Sequence, residues 1–189
     1  MKNIAIFASG SGTNAECIAN YFAKNPEISI QLILTNKKDA GVLKRAEKFN
    51  IPTVVFNRST FYSTSEIIDK LEENNIDLIV LAGFLWLVPE NILLKYYNRI
   101  VNIHPALLPD FGGKGMYGHH VHEAVIESGE KNSGISIHFV NEKYDDGQII
   151  FQKEIDLNQN ETPDSLASRI HELEYKYYPR VIEEIVAGL

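Results

Sequence analysis

The sequence predicts an α/β fold: an open, mostly parallel twisted sheet flanked by helices, with a late antiparallel strand pair and a long C-terminal helix. Three observations predict it. Short apolar runs alternate with segments of helical spacing as far as residue 103, the pattern of right-handed crossovers in a parallel sheet. After residue 130, two runs of alternating apolar and polar residues flank a turn-rich stretch, as in an added antiparallel pair. From Thr162 onward, apolar residues recur at helical spacing through Ile185.

Ile4-Ala5-Ile6-Phe7-Ala8 is a short apolar run bounded by polar residues and Gly, so a buried first strand, and a helix is expected over about Asn14 to Lys24. Ile28 to Thr35 is the second strand. Ala40 to Phe49 has helical spacing, and Ile51 to Phe56, begun at Pro52, is the third strand. Ser63 to Asn74 carries Ile67, Ile68 and Leu71 at helical spacing. Leu78-Ile79-Val80-Leu81-Ala82 is the fourth strand and Arg99 to Ile103 the fifth. The late pair comprises Gly134 to Val140 and Ile149 to Ile155, separated by Asp145-Asp146-Gly147. Thr162-Pro163-Asp164-Ser165 opens the last helix, with Thr as N-cap and Pro in the first turn. The apolar face of that helix is assigned to the core rather than to a dimer contact.

The 189 residues fit a single domain, 1–189, with no linker, repeat or low-complexity segment. Acidic residues exceed basic ones, giving a net charge of −7, which argues against a broad nucleic-acid or anionic-membrane surface. An anionic ligand must then be held locally, by backbone N–H groups and a few cations. No apolar run is long enough to span a bilayer. The chain opens directly on a strand without signal-peptide features, and it has one cysteine, so a cytoplasmic location is expected. Cys17 reads as a small buried hydrophobe on a helix rather than a nucleophile.

Chemistry concentrates in a few segments. Asn102 and His104 stand two apart at the end of the fifth strand, on one face, and Pro105 and Pro109 stiffen the exit. Strand ends are where open α/β sheets place ligands. A strand-end histidine satisfied by backbone partners is the competing reading. Gly10-Ser11-Gly12-Thr13-Asn14 joins the first strand to the first helix, where turn glycines and free N–H groups suit a phosphate. It lacks the third Gly of a dinucleotide fingerprint and the Lys of a Walker A loop, and a plain capped turn is its alternative. Ala82-Gly83-Phe84-Leu85-Trp86-Leu87-Val88-Pro89 is too apolar for a surface loop, so it lines a pocket for a flat organic ligand or packs as core. Asp145 sits in a turn where acidic residues are common, and a functional role requires it to reach His104. His119, His120 and His122 raise the question of a metal, but no cysteine joins them and the helical metal-binding pair with an adjacent Glu is missing, so none is expected. Gly112-Gly113-Lys114-Gly115 is a flexible loop, either a lid or a surface insertion.

Together these residues are similar to a known family. The chain resembles the phosphoribosylglycinamide formyltransferases, folate-dependent purine-pathway enzymes with a Rossmann-like formyltransferase fold, over essentially its full length. The resemblance rests on Gly10-Ser11-Gly12-Thr13-Asn14, on Ala82-Gly83-Phe84, on Asn102-Ile103-His104-Pro105-Ala106-Leu107-Leu108-Pro109, and on His138-Phe139-Val140 leading into Tyr144-Asp145-Asp146-Gly147. The third of these belongs to the wider superfamily, and the glycine-rich loop and compact length narrow the choice. The tRNA-directed relatives carry a further C-terminal domain and the hydrolase relatives an N-terminal one, and neither is expected here.

The resemblance implies a catalytic trio on Asn102, His104 and Asp145. Asn102 and a protonated His104 would stabilise the oxyanion, and Asp145 would support the imidazolium and relay a proton. It implies substrate contacts at Gly10, Ser11, Gly12, Thr13, Asn14 and Pro105, and at His171 and Glu174 on the terminal helix. It implies contacts to 10-formyltetrahydrofolate, the co-substrate, at Arg58, Leu85, Trp86, Leu87, Val88, Asn102, Asn141, Tyr144 and Asp145, with no metal. On this view residues 1–101 form the phosphate-binding half and 102–189 the catalytic and folate-binding half. The partners are the two small molecules, and the protein is a monomer or homodimer. Trp86 stands where many relatives have Arg, and Gln148 replaces a common Pro. The competing readings are formyl transfer to another amine, such as an amino sugar nucleotide, and a catalytically silent nucleotide-binding module.

Overall fold

A computed structural model describes residues 1–189. In chain order the elements are β1 (Lys2–Phe7), α1 (Thr13–Phe22), β2 (Ile28–Thr35), α2 (Gly41–Lys48), β3 (Thr53–Val55), α3 (Arg58–Ser63), α4 (Glu66–Glu73), β4 (Leu78–Leu81), α5 (Glu90–Lys95), β5 (Ile100–His104), α6 (His119–Ser128), β6 (Asn132–Phe139), β7 (Ile149–Asp156) and α7 (Pro163–Ala187). One seven-stranded sheet runs in the order β3-β2-β1-β4-β5-β6-β7. The pairings are parallel from β3 to β5 and antiparallel from β5 through β6 to β7. This is the α/β architecture with a late antiparallel pair that the hydrophobic pattern predicts.

The chain winds outward from β1 to β3, returns to the middle of the sheet at β4, and continues to the other edge. The carboxyl ends of β1 and β4 therefore flank a reversal of strand order, where an open α/β sheet leaves a crevice. Side-chain alternation divides the core between the two faces of the sheet. Ile4, Ile6, Val80, Val101 and Ile103 pack with residues of α1, α2, α6 and α7 on one face. Ala5, Phe7, Ile79, Leu81 and Ile100 pack with residues of α3, α4 and α5 on the other.

Helices α3 and α6 have no counterpart in the periodicity of the sequence. Asn57 caps α3 by accepting from the Thr60 N–H at 2.9 Å, and this helix is too short to show periodicity. Extended backbone at Thr64 separates it from α4, so the expected Ser63–Asn74 helix begins later, at Glu66. The α6 helix buries Val121, His122 and Val125, but its run of histidines hides that apolar stripe from a hydrophobicity count. The long α7 starts as expected, with a reciprocal cap between Thr162 and Ser165. Its apolar face, including Leu166, Ile170 and Ile182, lies in the core. From the same helix Tyr178, wholly buried, donates its hydroxyl to the carbonyls of Leu81 (2.9 Å) and Val101 (3.2 Å), tying α7 to the ends of β4 and β5. No helix is long and apolar enough to cross a membrane.

Candidate active site

A cavity of about 730 Å³ opens where the carboxyl ends of β1, β4 and β5 meet α6, α7 and the β6–β7 loop. Asn102 and His104 project into it from β5, His104 almost fully buried. The alternation of β5 puts Val101 and Ile103 in the opposite core cluster, so the two polar residues share a face. Asp145 comes to them from the β6–β7 loop. Its Oδ2 lies 3.6 Å from His104 Nδ1, and its Oδ1 lies 3.4 Å from Asn102 Nδ2. The trio therefore converges although Asp145 is distant from the other two in sequence.

The loop places Asp145 through two constraints. The residue itself adopts a left-handed φ of 53°, which Asp tolerates better than most. At Gly147 an added Cβ would lie 1.7 Å from the Phe139 carbonyl oxygen, so only glycine lets the loop close against β6. The 110–118 loop completes the arrangement: Gly113 N–H donates to Asp145 Oδ2 at 3.0 Å, and the Phe111 carbonyl accepts from His104 Nε2 at 2.8 Å. That loop is thus bonded directly to two of the three residues, and is not a detached surface insertion.

Each ring nitrogen of His104 faces an acceptor, an arrangement that fits an imidazolium. Burial nevertheless dominates and holds the imidazole below its ordinary range, against the raising influence of Asp145 and Phe111. Burial thus works against the imidazolium, while Asp145 and the Phe111 carbonyl favour it. For Asp145, burial would raise the carboxyl, but His138, His104 and the Gly113 N–H together keep it below its usual value and ionised. His138, opposite Asn102 on β6, donates Nδ1–H to the Phe139 carbonyl at 2.8 Å, and its Nε2 lies 3.2 Å from Asn102 Nδ2 and 3.6 Å from Asp145 Oδ1. Asn102 Nδ2 thus faces both His138 and Asp145.

The segment after His104 is held by a buried hydroxyl. Ser136 Oγ donates to the Ala106 carbonyl at 2.8 Å and accepts from Leu108 N–H at 2.9 Å and from Gln152 Nε2 at 2.8 Å. Neither Ser136 nor Gln152 stands out in the sequence, because both look like ordinary polar positions of alternating strands.

The other end of the cavity is the 10–14 loop. Gly12 has φ 76°, and a Cβ there would lie 2.6 Å from Val42, so the tight turn requires glycine. No side chain caps α1, which leaves first-turn N–H groups of Thr13 and Asn14 free to meet an anion, and the capped-turn alternative falls. Lys37 also lines the cavity. Between the two ends lies Glu174, nearly buried, whose Oε2 accepts from Asn14 Nδ2 and faces His171 Nδ1, both at 2.9 Å. Glu174 raises the His171 imidazole above its ordinary value. Because α7 reaches the glycine-rich loop, both halves of the chain build this end of the cavity.

Leu85, Trp86, Leu87 and Val88 form an apolar wall, and Tyr144 lines the cavity from the facing loop. The wall is anchored to β1, with the Leu85 N–H donating to Ser9 Oγ at 3.1 Å and the Ser9 N–H to the Gly83 carbonyl at 3.0 Å. Trp86 packs on Phe56, Phe61, Tyr62 and Phe84, so the segment is both core and pocket lining. Two residues expected to contact the folate, Asn141 by its backbone, do not turn their side chains into the cavity. Arg58 stacks outside the cavity on Tyr62 (5.0 Å) and Trp86 (5.8 Å). Asn141 is turned to its own loop, donating to Asp146 Oδ2 at 3.2 Å and accepting from the Lys143 N–H at 3.0 Å. Pro105, Gly10 and Ser11 line the cavity as expected. Among the histidines, His119 and His120 approach Glu123 at 3.5 and 3.2 Å, while His122 turns into the cavity wall.

A family model described as formyl transferase matches residues 2–182. The chain belongs to the formyl transferase family. It is 37% identical to the phosphoribosylglycinamide formyltransferase of Bacillus subtilis (strain 168), over 98% of this chain and 95% of that protein. It is 43% identical to the chloroplastic phosphoribosylglycinamide formyltransferase of Arabidopsis thaliana, covering 97% of this chain but only 65% of that longer protein. Among solved structures, the phosphoribosylglycinamide formyltransferase of Streptococcus pneumoniae TIGR4 superposes with a TM-score of 0.86 at 36% identity, over 98% of this chain and 99% of that one.

Proposed function

We propose that this protein transfers the formyl group of 10-formyltetrahydrofolate to the amine of N1-(5-phospho-D-ribosyl)glycinamide, giving N2-formyl-N1-(5-phospho-D-ribosyl)glycinamide and tetrahydrofolate in purine biosynthesis. The observation that carries this reading is one cleft, in a formyl transferase, with an uncapped helix N-terminus at one end and the Asn102–His104–Asp145 cluster at the other. The first end suits the phosphate, the second the reacting amine, and the apolar 85–88 wall a flat pterin.

In the proposed mechanism the amine lone pair attacks the formyl carbon, and the carbonyl electron pair moves onto oxygen. Asn102 exchanges its 3.4 Å contact to Asp145 for the developing oxyanion. Such a donor is commonly worth about 3–4 kcal/mol. Neutral His104 takes the proton released by the amine on Nδ1, the nitrogen facing Asp145, whose charge stabilises the new imidazolium. That proton then passes to the folate nitrogen as the carbon–nitrogen bond to the folate breaks. His104 donates Nε2–H to Phe111 throughout this sequence. No covalent enzyme intermediate is needed.

An assay with glycinamide ribonucleotide and 10-formyltetrahydrofolate, following tetrahydrofolate release, tests the reading. Turnover with this amine supports it. Turnover only with a different amine, such as an amino sugar nucleotide, overturns the substrate assignment, and absence of any transfer overturns the activity.

A further inference from the structure

The buried His122 plays no part in the mechanism above. Its side chain lines the cavity from α6 and is only 3% exposed, and Nδ1 is wholly buried with no hydrogen-bond partner. The other nitrogen, Nε2, is also unpartnered but is not sealed from the cavity. Native structures rarely leave a buried polar atom unsatisfied, and a ligand group is one way such a vacancy is explained. Helices α6 and α7 pack together here, and the charged or titratable groups around His122 are His171, Glu174, His119 and His104. Glu174 leads by its bond to Asn14 toward the glycine-rich loop, and His104 leads to the reacting cluster. His122 therefore stands between the two ends of the cleft.

In a phosphoribosyl amine, the sugar joins those two ends, and its secondary hydroxyls need partners. We infer that His122 is a substrate-binding residue that hydrogen-bonds a sugar hydroxyl of the ribonucleotide, beside Glu174. The inference rests on the activity proposed above. Burial and neighbouring His171 hold the imidazole down to about 4, so the ring is neutral at neutral pH. A neutral ring has no charge to offer a phosphate, but it suits a hydroxyl, which both donates and accepts. Glu174, an acceptor already shared by Asn14 and His171, offers a hydroxyl no donor of its own.

The test compares the native enzyme, His122→Leu and His122→Gln on glycinamide ribonucleotide and on its 2′-deoxy and 3′-deoxy counterparts. The expected result is a loss of about tenfold in kcat/KM when one hydroxyl is removed from the native enzyme's substrate, a difference of about 1.4 kcal/mol. His122→Leu should show a similar loss with the parent substrate, carried by KM, and no further loss with that deoxy sugar. His122→Gln should recover most of the affinity, and KM for the folate should stay unchanged. Equal deoxy penalties in native and His122→Leu enzymes overturn the inference, because a purely packing role leaves discrimination intact. If the Leu variant does not fold, His122→Phe, which fills the ring's volume, replaces it. Native enzyme that transfers no formyl group overturns the activity itself, whereas transfer without His122-dependent discrimination overturns only this inference.

Discussion

His104 has an acceptor at each ring nitrogen, the Phe111 carbonyl at 2.8 Å and Asp145 Oδ2 at 3.6 Å, yet burial holds it below its ordinary range. A base built this way works only while unprotonated. The rate should therefore fall on acidification through a value below the ordinary imidazole range, measured as kcat/KM against pH. His104→Ala and Asp145→Asn should each lower kcat by about a hundredfold or more while changing substrate binding far less, and near-normal turnover in either variant rejects its role. The buried histidines also make stability depend on pH. His122 is depressed to about 4, so between that value and 6.5 the unfolded chain binds more protons than the folded one. Above pH 6.5 the ring is neutral in both states and has no effect; as pH falls toward 4 it penalises the folded state increasingly, by a total on the order of 2–3 kcal/mol. Thermal melts should show Tm dropping between pH 7 and 5, and His122→Leu should flatten that slope. At this scale the sequence marked Asn102 and His104 by their spacing on one strand. It did not mark His122, whose neighbours made it look like one of a histidine cluster rather than a buried wall of the cleft.

Among the elements, the segment leaving β5 depends on a single hydroxyl. Ser136→Ala would strip partners from the Ala106 carbonyl, the Leu108 N–H and Gln152 Nε2. Denaturant unfolding should show a loss of about 1–3 kcal/mol, and kcat should fall with it as the residues after His104 slacken. The turn into α1 makes a different prediction. Gly12→Ala would place a methyl group 2.6 Å from Val42 at a φ of 76°. KM for the ribonucleotide should rise at least tenfold while KM for the folate is unaffected, as read from initial rates with each substrate varied. The strands and the long α7 were legible because their apolar periods are unbroken over many residues. The short α3 was not, because its start is set by the Asn57 cap rather than by a period, and α6 was obscured because polar His122 lies on its buried side.

For the whole molecule, the cleft exists because β1 and β4 are neighbours at the reversal of strand order and α7 returns across the end of the sheet. Tyr178 fastens that return through the carbonyls of Leu81 and Val101. Tyr178→Phe should cost about 1–3 kcal/mol of stability in denaturant unfolding, since it leaves both buried carbonyls without this partner. The sequence by itself determined the strand–helix alternation, the late antiparallel pair, the glycine-rich turn and the strand-end Asn102–His104 pair, because each is a local pattern of polarity, spacing or backbone freedom. Only the tertiary structure decided that Asp145 meets His104, that Glu174 joins Asn14, that the side chains of Arg58 and Asn141 turn away from the cavity, and that burial lowers the His104 imidazole. These depend on contacts between segments far apart in the chain and on burial, which a linear pattern does not encode.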